Sequence, residues 1–260
     1  MTETKFVEIK DISKIYHSSD GETMALDNVT FGVDQGEIVA IVGPSGCGKS
    51  TILSIIAGLI EPSSGDVLIQ GEKILNSNKT MGYMFQSDHL FQWRTILKNV
   101  LIGLEIQNKL NEDSFQRVNN LLDTYGLGEF KNHYPSQLSG GMRQRVALIR
   151  TLAIEPELLL LDEPFSALDY QSRLAVCDDI SAILKKEKKT AIMVTHDIAE
   201  AISIADRVIV LSKRPAYIKN IHNISLTWGP GEKTPLKSRE APEFRHYFNK
   251  IWRELDVYVQ

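Results

Sequence analysis

The sequence predicts an α/β fold: a mostly parallel sheet with helices between its strands, an antiparallel β edge, and a helical subdomain inserted into the middle of the chain. Three observations predict it. Short apolar runs at residues 38–42, 158–161 and 191–194 have the length and unbroken hydrophobicity of strands covered on both faces, which is how parallel strands read. Helical stretches separate those runs, so the connections are of the crossover kind that parallel strands require. Between about residue 88 and residue 153 strand signals become few and apolar side chains recur at helical spacing, as in Ser114, Phe115, Val118, Leu121 and Leu122.

In chain order, alternating residues at 5–9 and 67–69 read as strands of the β edge. Residues 38–42 lead into a glycine-rich turn, and a helix opens at Lys49 and runs through Ser54. The helical insertion follows, and then a strand at 158–161, a helix at 174–184 and strands at 191–194 and 208–211 complete the parallel sheet. Near the C-terminus Pro242 marks a helix start, and Phe244, Tyr247, Phe248, Ile251 and Leu255 make one apolar stripe suited to packing on a core. The expected organisation is one domain over residues 1–260. Residues 1–87 and 154–212 form its core, 88–153 the helical subdomain and 213–260 a C-terminal extension. There is no internal repeat.

The turn after residue 42 reads Gly43-Pro44-Ser45-Gly46-Cys47-Gly48-Lys49-Ser50 and fits the phosphate-loop pattern in its required setting, strand before and helix after. Glycines let successive backbone N–H groups converge on one anion, and the helix start adds the positive end of its dipole. Lys49 can reach the β- and γ-phosphates of a nucleotide, and the Ser50 hydroxyl is suited to ligating a magnesium ion that bridges them. A P-loop ATPase core is the expected fold. Residues 157–163 present a second buried strand that ends in two acids, Asp162 and Glu163. Ligands of open α/β sheets collect at the carboxyl ends of strands, so Asp162 is expected beside the metal, holding it in part through water. Glu163 is expected to orient or deprotonate the attacking water. His196 follows the strand at 191–194 and reaches the same edge, where its ring can donate to the γ-phosphate. Leu138-Ser139-Gly140-Gly141-Met142-Arg143-Gln144 forms another helix start able to bind an anion, although a serine-capped helix with a glycine-rich lead would also explain it locally.

Taken in order, residues 43–50, 138–144, 158–163 and His196 resemble the nucleotide-binding subunit of an ATP-binding cassette (ABC) transporter, and the resemblance covers essentially the whole chain. It implies ATP and Mg2+ as cofactors and extends the nucleotide contacts from Gly43, Pro44, Ser45, Gly46, Cys47, Gly48, Lys49 and Ser50 to Thr51. By the same resemblance Tyr16 stacks on adenine. Gln86 contacts the metal and the lytic water and begins a loop that senses the membrane partner. The Ser166-Ala167-Leu168-Asp169 stretch crosses to a second subunit, and His196 is the switch at the γ-phosphate. Ser139, Gly140 and Gly141 close over the nucleotide held by Lys49 of the other copy, so a homodimer of ATPase subunits is expected. Its further partners are transmembrane permease subunits and, through them, an extracytoplasmic substrate-binding protein.

Two regions resemble importers of nitrate, sulfonate and taurine type. One is the aromatic loop Asp88-His89-Leu90-Phe91-Gln92-Trp93-Arg94-Thr95, directly after Gln86, expected to be exposed and by the resemblance the place where a coupling helix of the membrane subunit docks; the alternative is Phe91 and Trp93 buried in the helical insertion. Its Leu-Phe-x-Trp-Arg-Thr run carries the likeness, and Gln92 departs from the proline usual there. The other is Arg239-Glu240-Ala241-Pro242-Glu243-Phe244 in the C-terminal helix region. Composition is that of a soluble globular protein, at 43% hydrophobic and 24% charged residues. No apolar run is long enough to span a bilayer and Met1–Lys5 lacks a signal-peptide core, so the expected location is the cytoplasmic face of the membrane, reached through a partner. Two cysteines, Cys47 and Cys177, make no disulfide framework, and a formal charge of −4 gives no nucleic-acid footprint. The competing classes are a non-transport ABC ATPase acting on nucleic acid or ribosome, and a P-loop small-molecule kinase, which leaves Ser139 to Gln144 unexplained.

Overall fold

A computed structural model describes residues 5–19, 21–74, 80–166, 168–227 and 234–255. From the N-terminus the elements are β1 (Val7–Ser18), β2 (Gly21–Val33), β3 (Ile38–Val42), α1 (Lys49–Ile56), β4 (Ser64–Ile69) and β5 (Glu72–Lys73). Next come β6 (Met81–Met84), α2 (Ile96–Ile106), α3 (Glu112–Thr124), α4 (Gly140–Ala153), β7 (Leu158–Asp162) and α5 (Tyr170–Lys186). The chain closes with β8 (Thr190–Thr195), α6 (Ile198–Ile204), β9 (Arg207–Leu211), β10 (Ile218–Asn223), α7 (Pro235–Glu240) and α8 (Phe244–Glu254). They divide between two compact units, residues 1–78 with 188–260 and residues 79–187.

The first unit carries two sheet systems. The antiparallel edge runs β2-β1-β4-β5. Its register is set by pairs such as Val7 with Val33 and Val7 with Ile69, all of them buried. The second system centres on β3, which pairs in parallel with β8 on one side and β9 on the other, while β10 adds antiparallel to β9. Every residue of β3 and β8 is buried, which is why these stretches are continuous in hydrophobicity rather than alternating. At the C-terminus the apolar stripe packs as expected: Ile251 and Leu255 are buried and Phe244, Tyr247 and Phe248 half-buried. Polar contacts add to it, because Glu254 accepts from Asn220 Nδ2 at 2.8 Å and sits 2.7 Å from His222 Nε2, tying α8 to β10.

In the second unit β6 and β7 pair in parallel, and the four helices around them include the expected helical insertion. Leu90, Ile96, Val100, Val118, Leu122 and Val146 are among the side chains of its core. Each helix starts on a residue whose side chain can accept a backbone hydrogen bond: Thr95 for α2, Asn111 in a capping box for α3, Ser139 for α4 and Asp169 for α5. Among the described residues no helix is long and apolar enough to cross a membrane.

Candidate nucleotide-binding site

The phosphate loop leaves β3 at Gly43 and enters α1 at Lys49, in the setting the pattern requires. Gly46 and Gly48 have φ of +71° and +121°, the left-handed region open to glycine without strain. Gly48 is also pressed against β2: a Cβ there would lie 2.8 Å from Leu26 Cδ2 and 3.3 Å from the Ala25 carbonyl. The N-cap of α1 is Gly48, so no side chain caps the helix start. Lys49 is 6% exposed, and its ammonium donates to the carbonyls of Gly43 at 2.9 Å and Pro44 at 3.1 Å. A positive charge is thus folded against a glycine-rich loop at a helix start, a combination suited to a polyphosphate. Cys47 is buried beside it. Burial pushes its thiol above the ordinary value, although Lys49 and Arg214 pull the other way.

Other expected residues of this unit come to the same place. Tyr16, 39% exposed on β1, has its hydroxyl 3.4 Å from Thr51 Oγ1 at the start of α1, which puts an open aromatic face beside the loop. Lys14 Nζ lies 5.3 Å from the centre of that ring. His196 is exposed directly after β8. Because Val42 and Thr195 are paired neighbours on parallel strands, Gly43 and His196 leave the same carboxyl edge. Asp197 fixes the turn by capping α6, and Thr195 donates to the buried Glu200 carboxylate at 2.7 Å.

In the second unit Met84 pairs with Leu161, so Gln86 and the acids Asp162 and Glu163 likewise leave one edge. Tyr83 donates its hydroxyl to Asp162 Oδ2 at 3.2 Å, and Gln86 Nε2 donates to Glu163 Oε2 at 3.4 Å. Glu163 has φ of +44° in a turn closed by Ser166, whose N–H and hydroxyl both donate to the Glu163 carbonyl. Ser139, Gly140 and Gly141 begin α4, with Ser139 Oγ accepting from Met142 N at 3.3 Å. These glycines are required for packing as well. A Cβ on Gly141 would lie 2.8 Å from Val176 Cγ2 of α5, and one on Gly140 would lie 3.2 Å from Leu168 Cδ2. Of the expected crossing loop, Asp169 caps α5 through Gln171 and Ser172, whereas Ala167 lies outside the described residues, as do Met1–Thr4 of the polar N-terminus.

Three residues at these sites make contacts that no sequence pattern marks. Tyr83 is one, because nothing in the run of β6 marks its hydroxyl. Asp88 is another: Arg143 Nε donates to its carboxylate at 3.0 Å, while Arg150 donates to the carbonyls of Asp88 and His89. This joins the loop after Gln86 to the helix that Ser139 starts. The third is Arg214, which lies on the phosphate loop from 168 residues away, and no local pattern announces it. In the aromatic loop Trp93 is 75% exposed with its ring centre 5.1 Å from that of the half-buried Phe91.

Comparison with known proteins matches residues 26–166 to the ABC transporter family. The chain is 45% identical over 254 residues to the uncharacterized ABC transporter ATP-binding protein YtlC of Bacillus subtilis, with 96% of each chain covered. It is 40% identical over 250 residues to the nitrate import ATP-binding protein NrtD of Synechocystis sp., covering 94% of this chain and 93% of that one. Among solved structures, the ATP-binding cassette MJ0796, a dimer in a post-hydrolysis state bound to ADP and Pi, is 33% identical and superposes with a TM-score of 0.73. That match covers 84% of this chain and 99% of the other. On a family match spanning more than half of its length, and relatives aligned almost end to end, the chain belongs to the ABC transporter family as one of its ATP-binding subunits.

Proposed function

We propose that this chain is the Mg2+-dependent ATPase that powers a membrane importer of small solutes of nitrate, sulfonate or taurine type. It works as two copies bound to permease subunits on the cytoplasmic face of the membrane, with a substrate-binding protein outside. The observation that carries the reading is the phosphate loop, where the start of α1, without a side-chain cap, and the enclosed ammonium of Lys49 offer a polyphosphate both dipole and charge. The solute class rests on the 40% identity to a nitrate import ATP-binding protein and on the two importer-like stretches at residues 90–95 and 239–244.

In this reading Lys49 exchanges its carbonyl partners for the β- and γ-phosphates, and the amides of the loop hold the same oxygens. Tyr16 stacks on adenine. The donor set fits magnesium: a hydroxyl at Ser50, a carboxylate at Asp162 and an amide oxygen at Gln86 are hard oxygen ligands. A cation that retains water needs few of them from the protein. When bound, the metal neutralises charge on the phosphates during transfer. Glu163 takes a proton from the attacking water, with Gln86 orienting the carboxylate, and His196 donates to the γ-phosphate oxygen. Ser139, Gly140 and Gly141 supply the second half of the site to the nucleotide on the other copy.

Titration of the full chain with ATP tests the assignment. Lys49→Ala is expected to weaken binding by about 10- to 100-fold, since a charge-assisted contact to phosphate is lost. Wild-type affinity in that variant would overturn the phosphate-loop assignment.

A further inference from the structure

We infer that Arg214 is a positioning residue of the phosphate loop: its guanidinium holds the Gly46–Cys47 peptide in one orientation, and with it the shape of the loop that receives phosphate. The inference rests on the ATP-binding reading above. Arg214 donates from Nη2 at 2.7 Å and from Nε at 3.2 Å to the carbonyl of Gly46. The N–H at the other end of that peptide, on Cys47, donates to the Pro44 carbonyl at 3.2 Å. A trans peptide is planar with its C=O and N–H opposed, so fixing both ends fixes the plane. Gly46, at φ of +71°, lacks the side chain that would otherwise restrict rotation there, so the orientation has to come from partners. Lys49 cannot supply it, because its ammonium is engaged with Gly43 and Pro44.

The arginine is itself held in place. Ser212 and Tyr217 exchange backbone and side-chain hydrogen bonds across the connection between β9 and β10, with Ser212 Oγ also donating to the Pro215 carbonyl at 3.1 Å. Ala216 is then pinned to β2 by two backbone bonds of 2.9 Å, to Ala25 and from Asp27. The same stretch of β2 presses on Gly48, and Leu211 at the end of β9 abuts Gly43, where a Cβ would come within 3.1 Å of Leu211 Cβ. One rigid corner of the first unit therefore grips the phosphate loop at its start, its apex and its end. Only the apex contact is made by a long side chain that substitution can remove without touching a strand.

The test compares the full chain with Arg214→Ala and Arg214→Lys, reading dissociation constants for ATP and ADP, KM and kcat for ATP, and the thermal midpoint without nucleotide. The expected result for Arg214→Ala is a loss of about three- to tenfold for ATP and ADP alike, because the loop holds phosphates that both carry. The loss falls on KM rather than kcat, and the midpoint shifts by less than about 2 °C. Arg214→Lys restores only part of the affinity, since an ammonium lacks the fork that meets one carbonyl with two donors. Affinity equal to wild type in Arg214→Ala, a defect confined to kcat, or full rescue by lysine would each overturn the inference. Failure of the wild-type chain to bind ATP would instead overturn the ATPase reading and this inference with it.

Discussion

Glu163 occupies a backbone conformation of φ +44°, uncommon for a residue with a side chain, and the double hydrogen bond from Ser166 to its carbonyl holds it there. Such outliers collect where a side chain must be aimed, and here the carboxylate is aimed at the amide of Gln86. Glu163→Gln keeps size and hydrogen-bonding capacity but removes the base. The expected outcome is ATP affinity close to wild type with hydrolysis slowed by about 10²- to 10⁴-fold, measured as phosphate release by the assembled transporter. Lys49, Ser50, Asp162 and Glu163 stand out in the sequence as candidates because each belongs to a short pattern fixed by chain-local geometry, and His196 because it follows a buried strand. Tyr83 and Arg214 do not. Their contacts join residues 79 and 168 positions apart, and neither stands in a pattern that local spacing reveals.

At the scale of elements, the loop after Gln86 and helix α4 are joined by a small set of polar ties. Asp88 accepts from Arg143 Nε and from Leu90 N, both at 3.0 Å, while Arg143 reaches back to the Leu138 carbonyl at 2.9 Å. Arg150 adds donors to two loop carbonyls, and burial lowers its affinity for the proton below the ordinary arginine value. Asp88→Ala strands the Arg143 Nε and Leu90 N–H donors but leaves the carbonyls that Arg150 meets. It is expected to lower the thermal midpoint of the chain by about 2–6 °C, followed by circular dichroism; an unchanged midpoint would mean that water replaces the carboxylate at no cost. The parallel strands β3, β7, β8 and β9 and helix α5 could be placed from sequence because burial on both faces, or a long helical period, leaves a strong signal, whereas the four-residue β6 was too short to show one. Strand β10 could not be placed either. It lies at a sheet edge with a mostly exposed surface, so Ile218–Asn223 carries little more than one buried position, His222, to mark it. Trp93 is exposed, as expected of an aromatic in the docking loop, while its neighbour Phe91 is half-buried.

In the proposed function the whole molecule carries two half-sites that serve different nucleotides, Lys49 with its loop and Ser139 with the start of α4. The solved relative MJ0796 is a dimer bound to ADP and Pi, which supports pairing as the way such halves are used. Leu168 and Val176 come so close to Gly140 and Gly141 that neither position accommodates a side chain without a shift of its neighbour. The most direct measurement is the mass of Glu163→Gln in solution by light scattering, with and without ATP and Mg2+. The chain of 29.2 kDa is expected to double in mass when ATP is added, and Ser139→Arg placed in the same background is expected to hold it at the mass of one copy. ATP-bound Glu163→Gln that stays at the mass of a single chain, or a double variant that still pairs, would contradict the account.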